Sequence, residues 1–141
     1  MIKINMDEKA LRKKSEKIDF KDAKKIISDL QSALGHIGSR GIGLCGPQIY
    51  EYYRVAFFNY EGRKITMVNP KIVDKSKEKW TLQEGCLSLP RVSGTVERPM
   101  TITLEYVDYK GDKQKEEFTG MLARAIQHEL DHFEGILITD Y

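Results

Sequence analysis

The sequence predicts an α+β fold in which mostly antiparallel β-sheets are flanked by a helix near each end. Three observations predict it: helical spacing of apolar residues from Asp22 to Ile37, a run of short strand-like segments from Arg54 to Phe118, and helical spacing again from Met121 to Phe133. In the first helix Ile26, Ile27, Leu30, Leu34 and Ile37 form one stripe. Gly38-Ser39-Arg40-Gly41 stops it and opens a glycine-rich loop. The strands then follow in order. Arg54 to Asn59 carries Val55, Phe57 and Phe58, Glu61-Gly62 is a turn, Lys64 to Val68 resumes the pattern, and Asn69-Pro70 breaks it. Trp80 to Ser88, Val92 to Glu97 and Thr101 to Tyr109 are further extended segments, the last two separated by Arg98-Pro99. Lys110-Gly111-Asp112 turns the chain into Gln114 to Phe118. Thr119-Gly120 opens the second helix, whose expected buried stripe is Leu122, Ala125, Ile126 and Leu130. Gly135 stops it, and Ile136 to Thr139 reads as a last short strand.

A length of 141 residues suits one domain spanning 1–141, with a core large enough to need no staples. A net charge of +2 gives no argument for nucleic acid or membrane as a partner. No stretch approaches the ~20 apolar residues of a membrane span. Met1-Ile2-Lys3-Ile4-Asn5 has neither the apolar region nor the cleavage site of a signal peptide, which points to the cytoplasm. In that compartment Cys45 and Cys86 are expected to be free thiols. The basic run from Leu11 to Lys17 is interspersed with acid and reads as solvated surface; its sharper reading is weak docking to an anionic partner such as RNA.

The chemistry begins at Gln127-His128-Glu129-Leu130-Asp131-His132. Residues four apart share a helix face, so His128 and His132 can both point imidazole nitrogens at one metal ion, with Glu129 beside them to reach a water held there. The second helix is thus a metal-binding helix around which the sheets are built. Two of the chain's three histidines are used in this way. A catalytic site of this kind needs a third protein ligand and an open position. One metalloprotease class takes a histidine three residues after Gly135, but that residue is Ile138. Glu134 is too near His132. The third ligand is therefore expected upstream, and the candidates are Cys45, Cys86 and His36.

Read together, three ordered motifs resemble those of the peptide deformylases: Gly41-Ile42-Gly43-Leu44-Cys45-Gly46-Pro47-Gln48, Glu84-Gly85-Cys86-Leu87-Ser88, and Gln127 to His132 followed by Gly135. The resemblance covers nearly the whole chain. It implies a metal-dependent hydrolase that removes the formyl group from the N-terminal methionine of nascent peptides and releases formate. The competing reading is a small metallopeptidase of other specificity. The resemblance implies Cys86, His128 and His132 as metal ligands and Glu129 as general base. It gives Gln48 and the backbone N–H of Leu87 as donors to the charge that develops on the formyl oxygen. It implies one divalent ion, iron(II) in the working enzyme, with zinc, nickel or cobalt able to occupy the same donor set. The peptide would lie extended along Ile42-Gly43, with Gly85 close to its backbone and Met121 and Ala125 lining the methionine pocket. Glu84 and Arg98 would pair behind the site.

The first motif departs from the family pattern, because Cys45-Gly46 stands where Ala-Ala is usual. Gly46 loosens the turn that carries Gln48, and Cys45 could lie near the metal. The chain also ends soon after the metal helix, where longer bacterial members add a helix linked to ribosome docking. This places it with compact, phage-like members, monomeric and bound to the ribosome weakly through another surface, such as the basic run.

Overall fold

The computed structural model describes residues 2–141. A short helix α1 (Glu8–Leu11) and the long helix α2 (Phe20–Ile37) precede seven strands: β1 (Gly43–Cys45), β2 (Val55–Tyr60), β3 (Arg63–Lys75), β4 (Lys79–Cys86), β5 (Leu89–Pro99), β6 (Thr101–Val107) and β7 (Lys113–Thr119). Helix α3 (Gly120–Phe133) follows. Single turns of 3-10 helix lie at Gly38–Arg40, Gly46–Ile49 and Ile138–Asp140. One sheet has the order β1-β2-β3-β6-β7, and β4 pairs with β5 in a second. Every pairing within them is antiparallel.

The large sheet is covered on both faces. Alternate residues of a strand point to opposite sides. Leu44, Val55, Phe57 and Val68 therefore meet the apolar stripe of α2, while Cys45, Ala56, Phe58, Ile65 and Met67 meet α3 through Ala123, Ile126 and Phe133. Because both faces are buried, β2 reads as a continuous apolar run, Val55 to Phe58, and not as an alternation. Glu61 and Gly62, both at positive φ, make the tight β2–β3 hairpin that Glu61-Gly62 signals in the sequence.

Three expectations are corrected. Asn69-Pro70 does not end its strand. Asn69 takes a left-handed φ of 52°, and the register with β6 shifts between Val68 and Lys71. The pair sits in a bulge, where a proline without N–H is tolerated, and β3 runs on to Lys75. Ile136 to Thr139 is not a strand: Leu137 and Ile138 are buried, and the Asp140 carboxylate accepts the Leu137 N–H at 2.9 Å, closing a 3-10 turn. The buried stripe of α3 is also rotated from the expected one. Ile126 is fully buried, but Leu122, Ala125 and Leu130 are only half-buried, and the rest of the inward face is Ala123, Arg124, Gln127, Glu129, His132 and Phe133. The expected stripe counted apolar residues only; this helix also turns Arg124, Gln127, Glu129 and His132 inward.

Candidate active site

A cleft of about 420 Å³ lies between β1 and β4, with α3 as its floor. Its walls include Ile42, Gly43, Gln48, Gly85, Cys86, Leu87, Met121, Arg124, Ala125, His128 and Glu129. Of the residues that the resemblance implies for catalysis, metal and peptide binding, all but His132 line one cavity, and His132 is buried, 1% exposed.

The donor atoms of Cys86, His128 and His132 lie within 4.8 Å of one another. Cys86 Sγ is 3.5 Å from His132 Nε2. Cys86 comes from the end of β4, where the register with β5 shifts between Gly85 and Cys86. The two histidines come from one face of α3. Of the two other upstream candidates, His36 is exposed on α2 and Cys45 is buried in the core. Both cysteines are free thiols. The position where a third histidine would be needed, Ile138, is buried in the last 3-10 turn.

Behind the ligand set is a buried ion network. Glu84 receives Arg98 Nε at 2.7 Å and Arg98 Nη2 at 2.8 Å, a two-pronged pair with both side chains buried. Arg124 reaches the same carboxylate and also donates to the carbonyls of Val96 (3.0 Å) and Trp80 (2.7 Å). Glu84 Oε1 stands 3.1 Å from His128 Nδ1. A carboxylate on one ring nitrogen fixes the tautomer and leaves the other nitrogen as the ligand. Arg98 is held in turn by Asp131 at 2.9 Å, and the Tyr141 hydroxyl donates to Asp131 at 2.6 Å. Burial alone would push the Glu84 carboxyl up. The hydrogen bonds from Arg98, His128 and Arg124 overcome this and hold it at about 2.

These residues fit a divalent cation. Burial pulls the His128 imidazole down, yet the facing Glu129, Cys86 and Glu84 outweigh it and hold its pKa up at about 10, so the surroundings favour positive charge there. Burial and the neighbouring His128 and Arg98 bring His132 down to about 3, which keeps it a neutral donor. A thiolate and two imidazoles suit zinc, iron(II), nickel or cobalt. Glu129 is 4% exposed, and its Oε1 is buried with no hydrogen-bond partner among the described residues. Burial raises its pKa above the ordinary carboxylate value. An unpartnered buried carboxylate oxygen is costly, and Glu129 is one of the residues that line the cleft.

Gln48 is 1% exposed. Its Oε1 accepts the Cys45 backbone N–H at 3.1 Å and the Cys45 thiol at 3.3 Å. Its Nε2 is thereby turned toward Ser88 Oγ at 3.3 Å and Cys86 Sγ at 3.9 Å. Burial, and then the facing Glu129 charge, pushes the Cys45 thiol well above its usual value, so it stays protonated. On the open side, the Ile42 carbonyl takes the Asn59 N–H at 2.8 Å. By the alternation of an antiparallel ladder, Gly43 turns its own N–H and C=O away from β2 toward the cleft. A side chain at Gly43 would strike the Phe58 ring at 2.5 Å, so packing beneath the strand accounts for that glycine. A side chain at Gly85 would meet nothing within 4 Å, so that position opens onto free space.

Sequence reasoning missed Arg124 and Ser88. No sequence signal marked Arg124, which lies on the side of the helix away from the expected apolar stripe and reads as solvent-facing. Ser88 entered only as the last residue of its motif, with no role, since its partner Gln48 lies 40 residues away. No helix is long and apolar enough to cross a membrane.

The profile of the family described as Polypeptide deformylase matches residues 3–141. The chain is 42% identical over 135 residues to a peptide deformylase of Finegoldia magna, covering 92% of this chain and 82% of that one. It is 36% identical over 145 residues to a peptide deformylase of Rhizobium meliloti, covering 98% and 82%. Its fold is similar to the crystal structure of a probable peptide deformylase from Synechococcus phage S-SSM7, with a TM-score of 0.87 and 39% identity over 100% and 98% of the two chains. It is also similar to a Synechococcus elongatus peptide deformylase in complex with actinonin, with a TM-score of 0.89 and 30% identity over 99% and 77%.

Proposed function

Because the chain belongs to the polypeptide deformylase family and is a metal-dependent hydrolase that frees the N-terminal methionine of nascent peptides from its formyl group, we propose that Cys86, His128 and His132 hold its metal and that Glu129 is its general base. The observation that carries this reading is the convergence of three ligand atoms within 4.8 Å beside the unpartnered Glu129 Oε1.

When bound, the divalent ion supplies a Lewis acid that lowers the pKa of water toward neutrality and polarises the formyl group. The other steps belong to the chain. Glu129 takes the proton of the attacking water and later delivers it to the departing amine; its raised pKa suits both directions. Gln48 Nε2, turned into the cleft by Cys45, and the Leu87 N–H donate to the oxygen on which charge develops. The peptide adds as an extended strand to the open edge at Ile42-Gly43, opposite Gly85. The methionine side chain occupies the space between Met121 and Ala125, walled by the stem of Arg124. The structures of relatives with actinonin bound support a peptide-like occupant of this cleft.

Iron(II) is the proposed working metal, since the family resemblance points to it and the thiolate–imidazole set accommodates it. Its relatives include bacterial and phage proteins, and we propose that it acts as a monomer in the bacterial cytoplasm. Contact with the ribosome is proposed to be weak and to run through the basic stretch from Leu11 to Lys17.

The test is formate release from a formyl-methionyl tripeptide by protein purified without oxygen and supplied with iron(II) or nickel. Metal-dependent release that disappears in Cys86→Ala is expected. Undiminished release in Cys86→Ala would reject the ligand assignment, and cleavage of an internal peptide bond without formate would favour the peptidase reading.

A further inference from the structure

The Cys45-Gly46 pair departs from the family pattern in the turn that carries Gln48. That turn is built tightly. The Glu51 N–H donates to the Gly46 carbonyl at 2.9 Å. A Cβ at residue 46 would run into the Glu51 carbonyl and lie 2.7 Å from the Tyr53 carbonyl. Glycine is what allows segment 51–53 to close over the turn, so the expected loosening by Gly46 does not occur. The turn is further clamped from outside, because Asn5 N–H donates to the Gln48 carbonyl at 2.7 Å and Asn5 Nδ2 to the Pro47 carbonyl at 3.0 Å.

Cys45 is fully buried, and its Sγ is 3.3 Å from Gln48 Oε1. Alanine at this position could offer only the backbone N–H, which already occupies one lone pair of that oxygen at 3.1 Å. The thiol supplies a donor to the second. A side-chain amide can rotate by half a turn, exchanging O for N. Two donors on the oxygen oppose that flip, because the flipped amide would set NH2 against N–H and S–H. The unflipped orientation is the one that sends Nε2 toward Cys86 and Ser88.

We propose that Cys45 is a positioning residue: its thiol is the second donor that locks the Gln48 amide with Nε2 facing the reacting formyl oxygen. The inference rests on Gln48 being a donor to that oxygen, as proposed above. Cys45 touches neither substrate nor metal in this account, and it undergoes no redox chemistry.

The test compares Cys45→Ala, Cys45→Ser and Gln48→Ala in kcat, KM and metal content. The side-chain amide 15N–1H signals of Gln48, assigned by their loss in Gln48→Ala, are followed in the zinc-loaded protein. Cys45→Ala is expected to lower kcat about threefold to tenfold, the value of one hydrogen bond, with KM and metal content unchanged and with the Gln48 amide signals shifted and broadened. Cys45→Ser keeps a donor and is expected to recover most of the loss. Combined with Gln48→Ala, Cys45→Ala should have no further effect on kcat. Wild-type kcat and unmoved amide signals in Cys45→Ala would overturn the inference, as would a loss that serine does not recover. Failure of the underlying reading shows elsewhere: Gln48→Ala would itself be fully active.

Discussion

Helices α2 and α3 cover opposite faces of one sheet, and they bury very different things. α2 presents Ala23, Ile26, Ile27, Leu30, Ala33 and Leu34 to the strands, all apolar. α3 presents Ala123, Ile126 and Phe133, but also Arg124, Gln127, Glu129 and His132. A buried polar side chain stabilises little even when fully bonded, and it costs stability when it is not. On α3, Glu129 Oε1 and His132 Nδ1 have no partners among the described residues. The contrast teaches that α2 is built for packing, whereas α3 sacrifices packing to hold chemistry at the cleft floor.

The comparison can be broken by exchanging the two kinds of defect. The largest effect belongs to Glu129→Ala. It should lower kcat by about 10²–10⁴-fold while leaving metal content and thermal unfolding at or above the parent's, because an unpartnered buried carboxylate is removed. A destabilised, metal-free variant would mean that Glu129 is structural. Next comes Leu30→Ala on α2, where Leu30 is fully buried. It should cost about 2–5 kcal/mol in denaturant unfolding, with the activity of the folded fraction unchanged; a matched loss of kcat per folded molecule would show that the α2 face is coupled to the cleft.

Glu84→Gln sharpens the comparison from behind the site. Removing the carboxylate that orients His128 should weaken metal binding about 10–100-fold in a competitive chelator titration. It should also change acid stability. The folded Glu84 pKa of about 2 lies below its ordinary value of 4.5, so its contribution is fully present above about pH 4.5 and is lost as pH falls through 2. The variant should therefore show a flatter decline of stability across that window; an unchanged decline would contradict the assigned ion network. The smallest effect is at Lys25, whose exposed ion pair with Asp29 lies one turn along α2 at 3.0 Å. Lys25→Ala should change stability by less than about 0.5 kcal/mol, and a larger loss would mean that the outer face of α2 is not simply solvated.

What the sequence made legible follows the same divide. α2 was readable because an all-apolar stripe is what periodicity detects. For α3 the same method placed the helix but rotated the buried stripe, because periodicity counts apolar residues only. His128 and His132 could be paired from their local spacing, whereas Cys86, 42 residues upstream of His128, joined them only through the family resemblance. Arg124 and the Gln48–Ser88 contact could not be read, because tertiary packing brings the cleft walls together. The same holds for β3, where Asn69-Pro70 is a local breaker overruled by pairing with β6, and for Ile136 to Thr139, a β-branched run that finds no strand to pair with and curls into a 3-10 turn.

The central claim is that α3 buries His132 to hold a metal and not to fill the core. The direct test is metal stoichiometry and formate release in His132→Ala, with the fold checked by circular dichroism. The account predicts a folded protein that has lost both its bound ion and its release of formate. A folded His132→Ala that keeps one ion per chain and still releases formate would contradict it.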